Sequence, residues 1–184
     1  MENIIMDKKV LIISTSPRKN GNSEILADAF LKGTVDGGNT AEKISLYDKT
    51  IGFCKGCLAC QKIRRCVIHD DADMIAQKML TADVLVFATP IYYYEMSGQM
   101  KTMLDRANPL YSADYAFRDI YFLSVAAENE EGVDARAING LEGWIECFPK
   151  ARLAGTVFAG GVNGVCEIDG HAALTKAYEM GKAV

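Results

Sequence analysis

The chain has 184 residues, a formal charge of −4, and 49% apolar and 24% charged side chains. That length suits one domain, residues 1–184, with a full core, and the acidic balance argues against nucleic acid as the main partner, because phosphate binding needs clustered Lys and Arg. No apolar run reaches the roughly 18 residues that span a bilayer, so no membrane contact is expected.

The opening stretch, MENIIMDKKVLIIS, has Lys8 and Lys9 inside it and too short an apolar run to be a signal peptide, so a cytoplasmic protein is expected. Val10–Ile13 is short, apolar and β-branched, which predicts a strand buried on both faces. A polar loop, STSPRKNGNS, follows. In EILADAFLKGTV the residues Ile25, Leu26, Ala29, Phe30 and Gly33 share a helical face, and Gly37–Gly38 end the helix. AEKISL alternates as a second strand and leads to a cysteine-rich loop. DDADMIAQKMLTA opens with carboxylates suited to a helix N-terminus. DVLVFAT is a buried strand expected to stop at Pro90, and MSGQMKTMLDRA is a helix with Ser97 as its N-cap. DIYFLSVAA, a helix over 133–147, RLAGTVFAG and a closing helix complete the chain. The connection Pro109–Arg118 carries three aromatics and is read as a cover for a ligand or a partner subunit.

Buried strands alternating with helices predict right-handed βαβ units. The fold class is therefore α/β: a flavodoxin-like, doubly wound, five-stranded parallel sheet of order 2-1-3-4-5 with helices on both faces. Ligands of such sheets sit beyond the carboxyl ends of the strands.

The loop after the first strand offers hydroxyls (Ser14, Thr15, Ser16, Ser23), the Arg18 guanidinium, the Asn22 amide and the small residue Gly21. Backbone N–H groups at the start of the next helix favour an anion in the same place. The loop lacks both G-x-G-x-x-G and a terminal G-K-[ST], which disfavours a dinucleotide or a nucleoside triphosphate. A single phosphomonoester such as that of FMN suits it; a plain polar turn capped by Ser23 is the other reading. After the third strand, Ile91–Tyr94 place one aliphatic and three aromatic residues at the same edge. They suit the flanks of a flat tricyclic ring or a subunit interface.

SPRKNGNS, TPIYYYEMSGQMKTMLDR and the closing AYEMGK together resemble the NADPH-dependent FMN reductase branch of the flavodoxin-like flavoproteins. The resemblance implies non-covalent FMN, with Ser16, Arg18, Asn22 and Ser23 on its phosphate and Thr89, Pro90, Ile91, Tyr92 and Tyr93 along the isoalloxazine. A third contact is implied near Ala126–Glu130. It further implies NAD(P)H as electron donor, a small acceptor (a quinone, nitro or azo compound, or free flavin) or a redox protein, and a homodimer or homotetramer. The chemistry belongs to the flavin, so no catalytic side chain is assigned.

CKGCLACQKIRRC spaces Cys54, Cys57, Cys60 and Cys66 as C-x2-C-x2-C-x5-C. The pattern resembles that of the iron–sulfur flavoproteins, which implies a [4Fe–4S] cluster on these four thiolates that passes electrons to FMN. Lys55, Lys62, Arg64 and Arg65 would offset part of its negative charge. Zinc, a C-x-x-C thiol switch and metal-free scaffold thiols stand beside it as alternatives. Cys147 and Cys166 are read as buried or incidental, His69 and His171 as solvated or capping, Met96, Met100 and Met103 as core or interface, and Trp144 as core.

Overall fold

The computed structural model describes residues 7–111 and 113–184; the first six residues of the segment read for a signal peptide, and Ser112 of the Pro109–Arg118 connection, lie outside them. The strands are β1 (Lys9–Ser14), β2 (Thr40–Ser45), β3 (Val84–Tyr92), β4 (Glu95–Met96), β5 (Asp119–Val125) and β6 (Arg152–Ala159). The helices are α1 (Asn22–Asp36), α2 (Ala59–Ile63), α3 (Asp71–Thr81), α4 (Gly98–Arg106), α5 (Ala135–Ile145) and α6 (Ala172–Lys182).

The sheet runs β2-β1-β3-β5-β6 with every main-path pair parallel. This is the expected doubly wound, flavodoxin-like arrangement, corrected in one respect. A sixth strand, the two-residue β4, pairs antiparallel with the end of β3. β3 therefore does not stop at Pro90; it continues to Tyr92. Proline is tolerated there because β1 has already ended opposite Ala88, so one side of β3 is an edge at that level.

Two apolar layers flank the sheet. On one side Val10, Ile12, Val84 and Val86 pack on Leu26, Ala27 and Phe30 of α1 and on Ala173 and Ala177 of α6. On the other, Leu11, Ile13, Leu85 and Phe87 meet Ile75 and Met79 of α3, Met100 and Met103 of α4, and Leu141 of α5. α1 and α6 cross at glycines. A Cβ on Gly33 would collide with the Tyr178 carbonyl, and one on Gly181 with the Phe30 carbonyl.

The Pro109–Arg118 connection does not supply three aromatics to a ligand. Tyr115 and Phe117 are buried, with rings stacked 4.4 Å apart, and only Tyr111 is exposed. They join Phe148 and Trp144, whose ring lies 6.2 Å from that of Phe117, in an aromatic cluster under α5. Core, not cover, is what these side chains form.

Candidate functional site: a phosphate cradle, an aromatic hairpin and a cysteine loop

At the carboxyl end of β1 the chain folds back on itself. The Ser16 hydroxyl donates to the Arg18 carbonyl at 2.9 Å and accepts from the Arg18 N–H at 3.1 Å. Asn20, in the left-handed region at φ 55°, donates its N–H to Glu24 at 2.9 Å. Gly21 then caps α1 without any side-chain hydrogen bond, and a Cβ there would collide with the Ser16 hydroxyl. The N–H groups of Asn22 and Ser23, the first of this helix, have no intrahelical acceptor, and both residues border the space above the loop.

That space is a cavity of about 390 Å³. Ser16, Arg18, Gly21, Asn22 and Ser23 line one end, and Pro90 to Tyr94 line another. Of the nine residues expected at an FMN, eight line this one cavity. Thr89 does not. Its buried hydroxyl lies 3.2 Å from that of Ser97 and accepts from the Ser97 N–H at 3.1 Å. Ser97, the expected N-cap of α4, also accepts from Met100 and lies 3.0 Å from the Thr15 hydroxyl. Thr89 therefore ties the ends of β1 and β3 to α4, beneath the cavity rather than along it.

Two observations fit this cavity to a phosphate monoester. Ser23 is 1% exposed, lines the cavity, and its hydroxyl has no partner among the described residues. A buried hydroxyl without a partner costs about 1–3 kcal/mol, so an acceptor or donor that completes it is favoured. The second is the uncapped helix start beside it, a ready anion site. Arg18 and Asn22 are partly committed elsewhere. The Arg18 guanidinium donates to the Asn163 carbonyl at 3.0 Å, and the Asn22 amide donates to the Gly164 carbonyl at 2.8 Å. Asn22 also accepts from the Ile168 N–H at 3.3 Å. A guanidinium retains further donors for an anion, whereas the Asn22 amide retains one N–H.

These bonds draw the loop after β6 over the cavity, which Val162 and Asn163 also line. Sequence reasoning missed these residues; the signal that could have found them is the glycine pair Gly160–Gly161 directly after a strand. Hydrogen bonds from the Asn163 and Gly164 N–H groups hold the Glu167 carboxyl below its usual value. The remaining wall is Val125 to Glu128, the place where a third contact was expected.

The aromatic wall is a tight hairpin. Ile91 pairs with Met96 and Tyr92 with Glu95, leaving Tyr93 and Tyr94 as a two-residue turn at φ 52° and 67°. Such turns prefer Asn-Gly. Two tyrosines there carry strain of about 1–3 kcal/mol each, of the kind that concentrates at functional sites. Tyr93 is 97% exposed. The Arg136 guanidinium lies 5.7 Å from the centre of the Tyr94 ring.

The four clustered cysteines line a second, small cavity of about 30 Å³ together with Arg106 and Asn108. They are unevenly placed: Cys60 is buried, Cys66 half-buried, and Cys54 and Cys57 exposed. Among the described residues no three His, Cys, Asp or Glu side chains stand as a metal-holding group. The loop winds through Gly56, Leu58 and Arg64 in the left-handed region, with α2 between the last two. Cys147 and Cys166 are exposed rather than buried.

The sulfurs of Cys54 and Cys60 each meet a nitrogen donor. The Gly56 N–H lies 3.5 Å from Cys54 Sγ, and the Asn108 amide donates to Cys60 Sγ at 2.9 Å. Arg106 is 1% exposed and lines the cavity, yet its Nε–H has no partner among the described residues. Its other nitrogens reach Asp70 at 2.7 Å on both carboxylate oxygens, Gly52 O at 2.6 Å and Ile68 O at 3.1 Å. The hydrogen bond to Asp70 outweighs burial and holds the guanidinium above its ordinary pKa, with the Asp70 charge and a hydrogen bond to Cys66 adding to it. Burial alone would raise the Asp70 carboxyl, but hydrogen bonds from Arg106 and the Gly52 N–H, with the Arg106 charge, outweigh it and keep the carboxyl low. A buried cation with an orphaned N–H, facing four thiols, fits an anionic thiolate-bound group.

Asp70 is also the N-cap of α3, accepting from the Ala72 N–H at 3.1 Å, so the acidic helix start has the expected role. His171 caps α6 through Nδ1, 3.0 Å from the Ala173 nitrogen.

The sequence profile of the NADPH-dependent FMN reductases matches residues 8–145. The chain belongs to that family. An iron–sulfur flavoprotein of Methanocaldococcus jannaschii is 40% identical over 102 residues, covering 55% of this chain and 53% of that protein. A second, from Methanosarcina thermophila, is 31% identical over 139 residues, covering 74% and 72%. Against the first relative and an Archaeoglobus fulgidus iron–sulfur flavoprotein, the match spans only about half of the relative's length, 53% and 46%. Among solved structures, an NAD(P)H:quinone oxidoreductase from Methanothermobacter marburgensis superposes with a TM-score of 0.74 at 17% identity, over 96% of this chain and 95% of that one. At that identity the likeness speaks for the flavodoxin-like fold alone.

Proposed function

We propose that this protein is an FMN-dependent oxidoreductase that takes electrons from NAD(P)H and passes them to a small acceptor, a quinone, nitro or azo compound or free flavin. The observation that carries the reading is the buried, partnerless Ser23 hydroxyl beside an uncapped helix start, in one cavity with the strained tyrosine hairpin. Membership of the FMN reductase family supports it.

Ser16, Arg18, Asn22 and Ser23 and the first N–H groups of α1 would hold the phosphate. Pro90, Ile91, Tyr92 and Tyr93 would line the isoalloxazine, and Val125–Glu128 form a further wall of the cavity. Thr89 acts one layer deeper, fixing the hairpin against β1 and α4 through Ser97. FMN, when bound, supplies the hydride and electron chemistry; the chain supplies binding, orientation and exclusion of water. A homodimer or homotetramer would cover the exposed Tyr93, and a reducing, cytoplasmic setting suits six cysteines without a disulfide among the described residues.

A second reading keeps the flavin and adds a [4Fe–4S] cluster on Cys54, Cys57, Cys60 and Cys66, making the protein an electron carrier. It is supported by the buried Arg106 N–H and the Asn108 donor facing the thiols, and by the names of the relatives. Neither residue takes part in holding the FMN phosphate.

The test of the first reading is a visible spectrum of the purified protein, before and after adding FMN, followed by NAD(P)H oxidation with a quinone. Flavin bands and turnover are expected. A colourless protein that fails to take up FMN contradicts the reading. Anaerobic iron and sulfide analysis then separates enzyme from cluster-bearing carrier.

A further inference from the structure

α4 joins the two sites. It starts at Ser97, inside the hydroxyl network beneath the flavin cavity, and ends at Arg106, on the cysteine cavity. The turn that follows brings Asn108 to the same place.

Asn108 spends its amide on a sulfur, 2.9 Å from Cys60 Sγ, although a carbonyl is the stronger acceptor. Cys60 is the buried thiol of the four. Arg106, buried and paired with Asp70, lines the same cavity as Cys66. Its guanidinium holds both flanks of the loop, through Gly52 O before the cysteines and Ile68 O after them. Sequence spacing explains the four thiols but neither of these donors, which arrive from residues more than forty positions beyond Cys60.

A donor or cation next to a thiolate stabilises the more negative, reduced form of whatever the thiolates carry, and so raises its reduction potential. We infer that Asn108 and Arg106 are positioning residues that raise the reduction potential of a cluster held by the cysteine loop, Asn108 through Cys60 and Arg106 through Cys66. The inference rests on the second reading above and adds the tuning residues to it. Lys55 and Arg106 line the cavity as cations and Asp105 as an anion, Asp73 accepts from the Cys66 N–H at 3.1 Å, and the stretch from Lys49 to His69 contains five Lys and Arg and no Asp or Glu.

The test uses the full chain, reconstituted anaerobically with iron and sulfide and loaded with FMN, and titrated by EPR and visible absorbance. Asn108→Leu keeps the shape and removes the donor. It should make one-electron reduction of the cluster about tenfold less favourable, a fall of about 59 mV. Asn108→Asp should lower the potential further, Asn108→Ser should restore part of it, and the FMN potential should stay in place. Arg106→Lys keeps a charge and loses the fork, and should lower the potential as well. Iron and sulfide bound as in the wild type, with unchanged cluster potentials in Asn108→Leu and Asn108→Asp, would overturn the inference while leaving the cluster reading intact. Less than about one iron per chain after reconstitution would overturn both.

Discussion

The guanidinium of Arg106 grips both carboxylate oxygens of Asp70 at 2.7 Å, 36 residues back along the chain, with its side chain fully buried. Because Asp70 is the N-cap of α3 and Arg106 the last residue of α4, this pair ties together two helices of the same layer and the mouth of the cysteine loop.

Truncating Arg106 to Ala should therefore be severe. Removing one member of a buried pair leaves the other charge unpaired, at a cost of about 3–5 kcal/mol. Urea unfolding of Arg106→Ala against wild type measures it; a loss below about 1 kcal/mol, the range of an exposed pair, would refute the buried role.

The same pair sets an acid limit. Asp70 titrates lower in the folded chain than the ordinary aspartate value of about 3.9. Its contribution is thus complete above that value and is lost as the pH falls through the lower, folded one. Urea midpoints from pH 6 to pH 3 should decline at the acid end, and Asp70→Asn should be less stable at pH 6 and flatter below pH 4.

Gly33 and Gly181 predict a packing effect remote from both sites. Gly33→Ala and Gly181→Ala would each push a methyl into a backbone carbonyl across the α1–α6 contact. Forcing extra volume into a packed interior costs about 1–3 kcal/mol. Calorimetry should show a lowered Tm in both, with unchanged FMN affinity in whatever fraction stays folded.

Ser23 separates binding from folding. Ser23→Ala removes an unsatisfied buried hydroxyl, so the apoprotein should be as stable as wild type or slightly more so. FMN affinity should fall by about 0.5–1.5 kcal/mol, the net value of one hydrogen bond. Thermal unfolding with and without FMN reports both. Lower apoprotein stability together with unchanged affinity would show that the hydroxyl serves the fold.

Much of this was legible beforehand because the cavity is built from contiguous loops. SPRKNGNS and TPIYYY each contribute several lining residues; composition pointed to the loops, and the family resemblance assigned their residues. What stayed hidden depends on pairs far apart in the chain. Arg106 within MLDRA reads as a surface arginine until Asp70, Gly52 and Ile68 converge on it. Tyr93 and Tyr94 read as aromatics, but the strained turn exists only once Glu95 and Met96 pair back on β3. Val162 and Asn163 reach the cavity because Arg18 and Asn22 hold their loop, a contact across some 140 residues. Helix α2 is five residues long between two left-handed positions, too short for any periodicity to announce it.

The most direct test of the account is a titration of the apoprotein with FMN and, in parallel, with riboflavin, which carries the same ring without the phosphate. If the β1 loop is a phosphate cradle, FMN binds far more tightly, and Arg18→Ala narrows the gap by about 1.5–3 kcal/mol by removing one charge-assisted bond. Equal affinities for the two flavins, unchanged by Arg18→Ala, would contradict it.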